Sequence, residues 1–85
     1  MASKIVQVSG TDWTELSAAE KGCFENQTSD PLLYWVAAAK PAETVVKGHS
    51  LSQFADKGFQ LNTSSAMKLY GRTLSVAGDV IVTEY

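Results

Sequence analysis

At 85 residues, with a formal charge of −2 from seven basic and nine acidic side chains, the chain is sized for one domain. The charges are dispersed, so no basic stripe offers itself to a nucleic-acid backbone, and the longest apolar run, Leu32 to Ala39, is far too short to span a bilayer. One cysteine, Cys23, and one histidine, His49, exclude an internal disulfide and any recognisable zinc pattern.

A domain of this size buries only roughly 60% of the surface its unfolded chain exposes, so a lone core is marginal. Small domains usually add disulfides, a metal or a partner subunit. With the first two removed, association with sister copies is the remaining device, and we expect a homo-oligomer. The opening Met1-Ala2-Ser3-Lys4 leads into Ile5-Val6-Gln7-Val8 without an apolar h-region, which predicts a chain made in a cytoplasm and not secreted. Asn26-Gln27-Thr28 and Asn62-Thr63-Ser64 match the glycosylation pattern, read here as chance.

In chain order, Lys4 to Ser9 is β-rich and ends at Gly10-Thr11-Asp12. Trp13 to Leu16 reads as a second strand. Ser17-Ala18-Ala19-Glu20 fits a capping box stopped by Lys21-Gly22, which supports one helical turn at most. Cys23 to Asn26 is a third strand, closed by the turn-rich Gln27 to Pro31. Residues 32–39 are ambiguous. Asp30 as N-cap, Pro31 at the first helical position and three alanines suit a short helix, whereas Leu-Leu-Tyr-Trp-Val between turn signals suits a strand. We read a strand, apolar on both faces, fit for a sandwich interior or an oligomer contact.

Lys40 to Ser50 is a connection in which Thr44-Val45-Val46 could add edge-strand residues. Leu51 to Phe54, a turn at Ala55-Asp56-Lys57-Gly58, and Phe59 to Asn62 read as a hairpin. Met67 to Arg72 is another alternating strand, Ala77-Gly78-Asp79 a final turn and Val80 to Tyr85 a final strand. Turn signals recurring about every nine residues mark an all-β, antiparallel sandwich or small barrel of about seven to eight short strands, one domain over residues 1–85.

Catalytic chemistry finds little support. Cys23 sits in an apolar segment beside Phe24, and His49 lies in a Gly-His-Ser loop with no flanking carboxylate to orient it. There is no G-x-S-x-G motif, no phosphate loop and no calcium loop, and the carboxylates are scattered. The expectation is a protein that is not an enzyme and takes no cofactor or metal.

The landmarks run in a definite order: Ile5-Val6-Gln7-Val8, Trp13-Thr14-Glu15-Leu16, Cys23-Phe24-Glu25-Asn26-Gln27-Thr28, a run ending near Pro41-Ala42-Glu43, Gly48-His49-Ser50-Leu51, Leu69-Tyr70-Gly71-Arg72-Thr73-Leu74 and Asp79-Val80-Ile81-Val82-Thr83-Glu84. This series resembles the small β-sandwich virion proteins of tailed bacteriophages, along nearly the whole chain, with residues 32–39 unusually apolar by comparison. The resemblance implies a capsid decoration (cement) protein, or a related head-fibre or tail accessory subunit. Such a protein would be a trimer or dimer located in the virion, with the major capsid protein or another virion protein as partner and neither nucleic acid nor membrane. Its strand-like N-terminal segment and final strand could augment a partner sheet. Candidate oligomer or partner contacts are Trp13, Leu33, Tyr34, Trp35, Val36, Tyr70, Arg72 and Tyr85. Two further expectations stand beside it: a displayed carbohydrate or receptor binder using Trp13, Trp35 or Tyr34, and a small phage inhibitor of a host protein.

Overall fold

The structure, a computed structural model, describes residues 2–85. Among the described residues eight strands form in chain order: β1 (Ala2–Val8), β2 (Thr14–Ser17), β3 (Lys21–Asn26), β4 (Leu32–Ala37), β5 (His49–Leu51), β6 (Asp56–Gln60), β7 (Lys68–Arg72) and β8 (Gly78–Glu84). A 3₁₀ turn at Thr63–Ser65 precedes β7. The strands pair into two antiparallel sheets, ordered β1-β8-β3-β6 and β2-β7-β4-β5.

That order has a simple origin. The pairs β1·β8, β2·β7, β3·β6 and β4·β5 join the first strand to the last, the second to the second-last, and so inward. The chain is one long antiparallel hairpin, bent at the β4–β5 connection and rolled up until β3 meets β8 and β4 meets β7. An eight-stranded double sheet of this kind is a jelly roll.

Period-two alternation decides what the roll encloses. Phe24 on β3, Val80 and Val82 on β8, Leu32 on β4 and Leu69 on β7 turn inward with Val8, Leu16, Leu51 and Leu61 to form the main core. Tyr34 and Phe59 flank it, their rings 5.2 and 6.2 Å from Phe24. Residues 32–37 are thus a strand, the reading preferred over a helix, and a sandwich is realised rather than a barrel.

Several expectations are corrected. No helical turn forms at residues 17–20. Ser17 Oγ accepts the Ala19 N–H at 3.0 Å and donates to Glu84 Oε2 at 2.6 Å, and Lys21-Gly22 already belongs to β3. Gly22 serves sheet packing: a Cβ there would collide with the Thr83 carbonyl oxygen, and Phe59, its cross-strand partner, covers it instead.

The hairpin read over residues 51–62 does not exist, because β5 and β6 lie in different sheets. Its supposed turn residues Asp56, Lys57 and Gly58 are the edge strand β6, where charge and glycine are common devices against stray pairing. Likewise Gly78 and Asp79 open β8 rather than turn before it. Gly78 lets Thr28 approach, since a Cβ would stand 2.7 Å from the Thr28 Cγ2. Thr44 to Val46 make no strand. The final strand cannot augment a partner sheet, because β1 and β3 already occupy both its edges.

Candidate interaction surfaces

The β4–β5 connection, residues 38–48, folds back over the outer face of the second sheet. Beneath it Trp13, Leu33 and Tyr70 form a small core of their own. Two side chains fasten the strap. Trp13 Nε1 donates to the Val45 carbonyl at 2.9 Å. Arg72 donates to the carbonyls of Glu43 (2.8 Å), Val45 (3.2 Å) and Gly10 (2.6 Å), with its guanidinium carbon 5.7 Å from the Trp13 ring centroid. Only 5% of Arg72 is exposed, so its charge is met by carbonyl dipoles and a π face instead of water. A 2.7 Å ion pair between Lys40 and Asp12 holds the strap's near end and, with the Trp13 N–H, keeps the Asp12 carboxyl below its ordinary pKa.

The eight sequence-derived candidates therefore separate. Trp13, Leu33, Tyr70 and Arg72 converge under the strap, where the chain's own fold covers them and they offer a partner almost no area. Tyr34 is half-buried against Phe24 and His49. Trp35 and Val36 are exposed because β5 pairs only with Leu32–Tyr34 and leaves the far half of β4 uncovered. Tyr85 follows β8, exposed, its N–H donating to the Lys21 carbonyl at 3.1 Å. Cys23 and His49 stand in opposite sheets. Among the described residues no group of three or more His, Cys, Asp or Glu side chains is placed to hold a metal ion, and no helix is long and apolar enough to cross a membrane.

A surface missed in the sequence lies at one end of the roll. Asn26, fully buried, donates from Nδ2 to the carbonyls of Asp30 (2.8 Å) and Leu51 (2.9 Å), and its Oδ1 accepts from the Thr28 N–H (2.9 Å) and hydroxyl (2.7 Å). Its backbone binds Ala55 and Phe54 of the β5–β6 connection. Asp30 Oδ2 then accepts from the Ser75 N–H (3.0 Å), the Val76 N–H (3.2 Å) and the Ser75 hydroxyl (3.3 Å), which lowers its pKa and pins the β7–β8 connection.

Two connections, β5–β6 and β7–β8, are thus tied to the turn after β3, and they display Phe54, Leu74 and Val76 to solvent, the first two 66% and 58% exposed. Phe54 also holds a left-handed backbone, φ 62°, costly for a bulky residue. An aromatic kept exposed on a strained backbone is a feature that binding surfaces tolerate and cores do not. Elsewhere an open depression of about 550 Å³ is lined by polar groups of Glu20, Gln60, Asn62, Thr63 and Ser64 with Leu61.

The arrangement defines a class, a small strapped jelly roll whose exposed apolar side chains lie on its loops and sheet margins. No family model, no curated protein and no solved structure matches the chain.

Proposed function

We propose that the chain is a structural virion protein of a tailed bacteriophage, a decoration subunit that binds the outside of the head and stabilises the capsid lattice. The carrying observation is the loop end, where Phe54, Leu74 and Val76 stand exposed on connections braced by the buried Asn26–Asp30 turn. A rigid apolar patch on a small domain suits attachment to a large preformed surface, since little ordering is lost on binding. The landmark order along the chain and the jelly-roll topology, which viral capsid domains share with lectins, lend fold-level support by analogy.

Mass spectrometry of purified virions and co-sedimentation with heads lacking the protein test the reading. Wild type should pellet with heads and raise their melting temperature. The Phe54→Gly/Leu74→Ser variant should remain folded, since both side chains are exposed and glycine relieves the left-handed φ, yet stay in the supernatant. Absence from virions, with no binding to head or tail particles, removes the proposal. The receptor-binding alternative retains one specific support, the exposed Trp35 ring stacked with His49 at 6.4 Å. Trp13 no longer contributes to it.

A further inference from the structure

The two sheets have four margins, and three are blunted. β2 has four residues with a register shift between Glu15 and Ser17, β5 has three residues, and β6 carries Asp56, Lys57 and Gly58. β1 is different: seven residues, regular pairing with β8 throughout, no proline and no glycine.

Hydrogen-bond parity fixes which of its groups are free. The Asp79 carbonyl accepts from the Gln27 N–H and the Tyr85 N–H donates to the Lys21 carbonyl, so the odd-numbered residues of β8 face β3. Its even-numbered residues therefore face β1, and they pair with Ala2, Lys4, Val6 and Val8. Ser3, Ile5 and Gln7 are left with their N–H and C=O groups on the open side.

We infer that β1 is a self-pairing edge, and that two copies join antiparallel about a two-fold axis at Ile5 to make one continuous eight-stranded sheet. In this register Ile5 meets Ile5 of the second copy, and Ser3 meets its Gln7. All three free residues then exchange hydrogen bonds. Lys4 lies opposite Val6, so no like charges face each other. Sliding the strands to centre on Lys4 would oppose two ammonium groups, and centring on Val6 would leave Ser3 without a partner inside β1.

The side chains agree. Ile5 is 70% exposed on the outer face beside its cross-strand neighbour Ile81. Pairing would close a four-isoleucine row, Ile81-Ile5-Ile5-Ile81, across the two copies. The occupant is a second copy because the edge complements itself in hydrogen bonding and apolar contact and, in this register, opposes no like charges. The inference names the self-contact of an oligomeric subunit but does not depend on a capsid, and its test uses the isolated protein, so either can fail alone.

Sedimentation equilibrium should give twice the 9.1 kDa chain mass for wild type. Ile5→Lys and Ile5→Glu should each sediment as monomers, and an equal mixture of the two should restore a dimer, because the axis sets residue 5 against itself. Ile5→Pro should also be monomeric with an unchanged circular dichroism spectrum, since the N–H it removes is not used within the fold. Should that proline disturb the fold, the charge pair still decides, because residue 5 lies outside the core. A monomeric or trimeric wild type, a dimer persisting in both single-charge variants, or a mixture that stays monomeric overturns the inference.

Discussion

Asn26 concentrates more structure than any other single residue. Its amide makes four side-chain hydrogen bonds inside a site without solvent, and its partners belong to the turn after β3 and to the end of β5. Replacing it with alanine leaves the Leu51 carbonyl and the Thr28 N–H unpaired where water cannot substitute, and each such group costs about 1–3 kcal/mol. Asn26→Ala should therefore lose roughly 3 kcal/mol in urea titration, whereas Gln27→Ala, on an exposed neighbour, should stay within about 0.5 kcal/mol. A loss below about 1 kcal/mol for Asn26→Ala would mean that the loop end holds by packing alone. The sequence did carry a signal here. Asn, Thr and Asp at alternate positions before Pro31 are the residues whose side chains bond to nearby backbone. They read as a turn, but nothing local says that the turn is buried, because that burial comes from Leu51 and from the β7–β8 connection far along the chain.

At the scale of elements, strands declare themselves and their partners do not. Alternation along residues 68–72 and 80–84 is visible in the chain, and β7 and β8 form there. The Asp-Lys-Gly segment, in contrast, has equal title to a hairpin turn and to a charged edge strand, and only the pairing with β3 decides between them. The strap shows the same limit. Residues 38–48 have no periodicity, so their return over Trp13, Leu33 and Tyr70 left those side chains looking like surface to be hidden by another subunit. Arg72 is the fastener that decides this. Arg72→Met keeps the stem's packing but loses three charge-assisted bonds, and Arg72→Lys keeps the charge but loses the planar fork. Both should open the strap before the roll. The expected readout is trypsin cleavage after Lys47 at least about tenfold faster, for an opening free energy lowered by about 1.4 kcal/mol or more, with the Trp13 emission shifted to the red. Lys40 is silent in this assay because Pro41 follows it. An unchanged cleavage rate in both variants would assign the strap's closure to Trp13 and the Lys40–Asp12 pair.

At the scale of the whole molecule, a rolled hairpin brings the two ends of the chain together, and carboxylates clamp its two arms. Asp30 on the first arm holds the backbone of Ser75 and Val76 on the second. Glu84 on the second arm accepts from Ser17 on the first and pairs with Lys4 at 3.4 Å. Asp12 anchors the strap that joins the arms. All three pKa values lie below the ordinary ones: Asp30 through the N–H groups of Ser75 and Val76, Glu84 through the Ser17 hydroxyl, and Asp12 through Lys40. A carboxyl depressed in the folded state binds its proton more readily when unfolded, so its contribution is complete above the unfolded pKa and disappears as pH falls through the folded one. The ordinary values are 3.8 for aspartate and 4.5 for glutamate, which puts the plateau above about pH 5 and the decline below it. Asp30→Asn isolates one clamp. At neutral pH it should be less stable than wild type, because a neutral amide oxygen accepts more weakly than a carboxylate. As pH drops toward about 3 the wild-type melting temperature should fall faster and the two curves converge, protonation having done to Asp30 what the substitution did. Melting curves that stay parallel across the acid range would show that Asp30 stays ionised to a similar degree whether the arms are closed or open, and that the β7–β8 connection is held by its backbone alone.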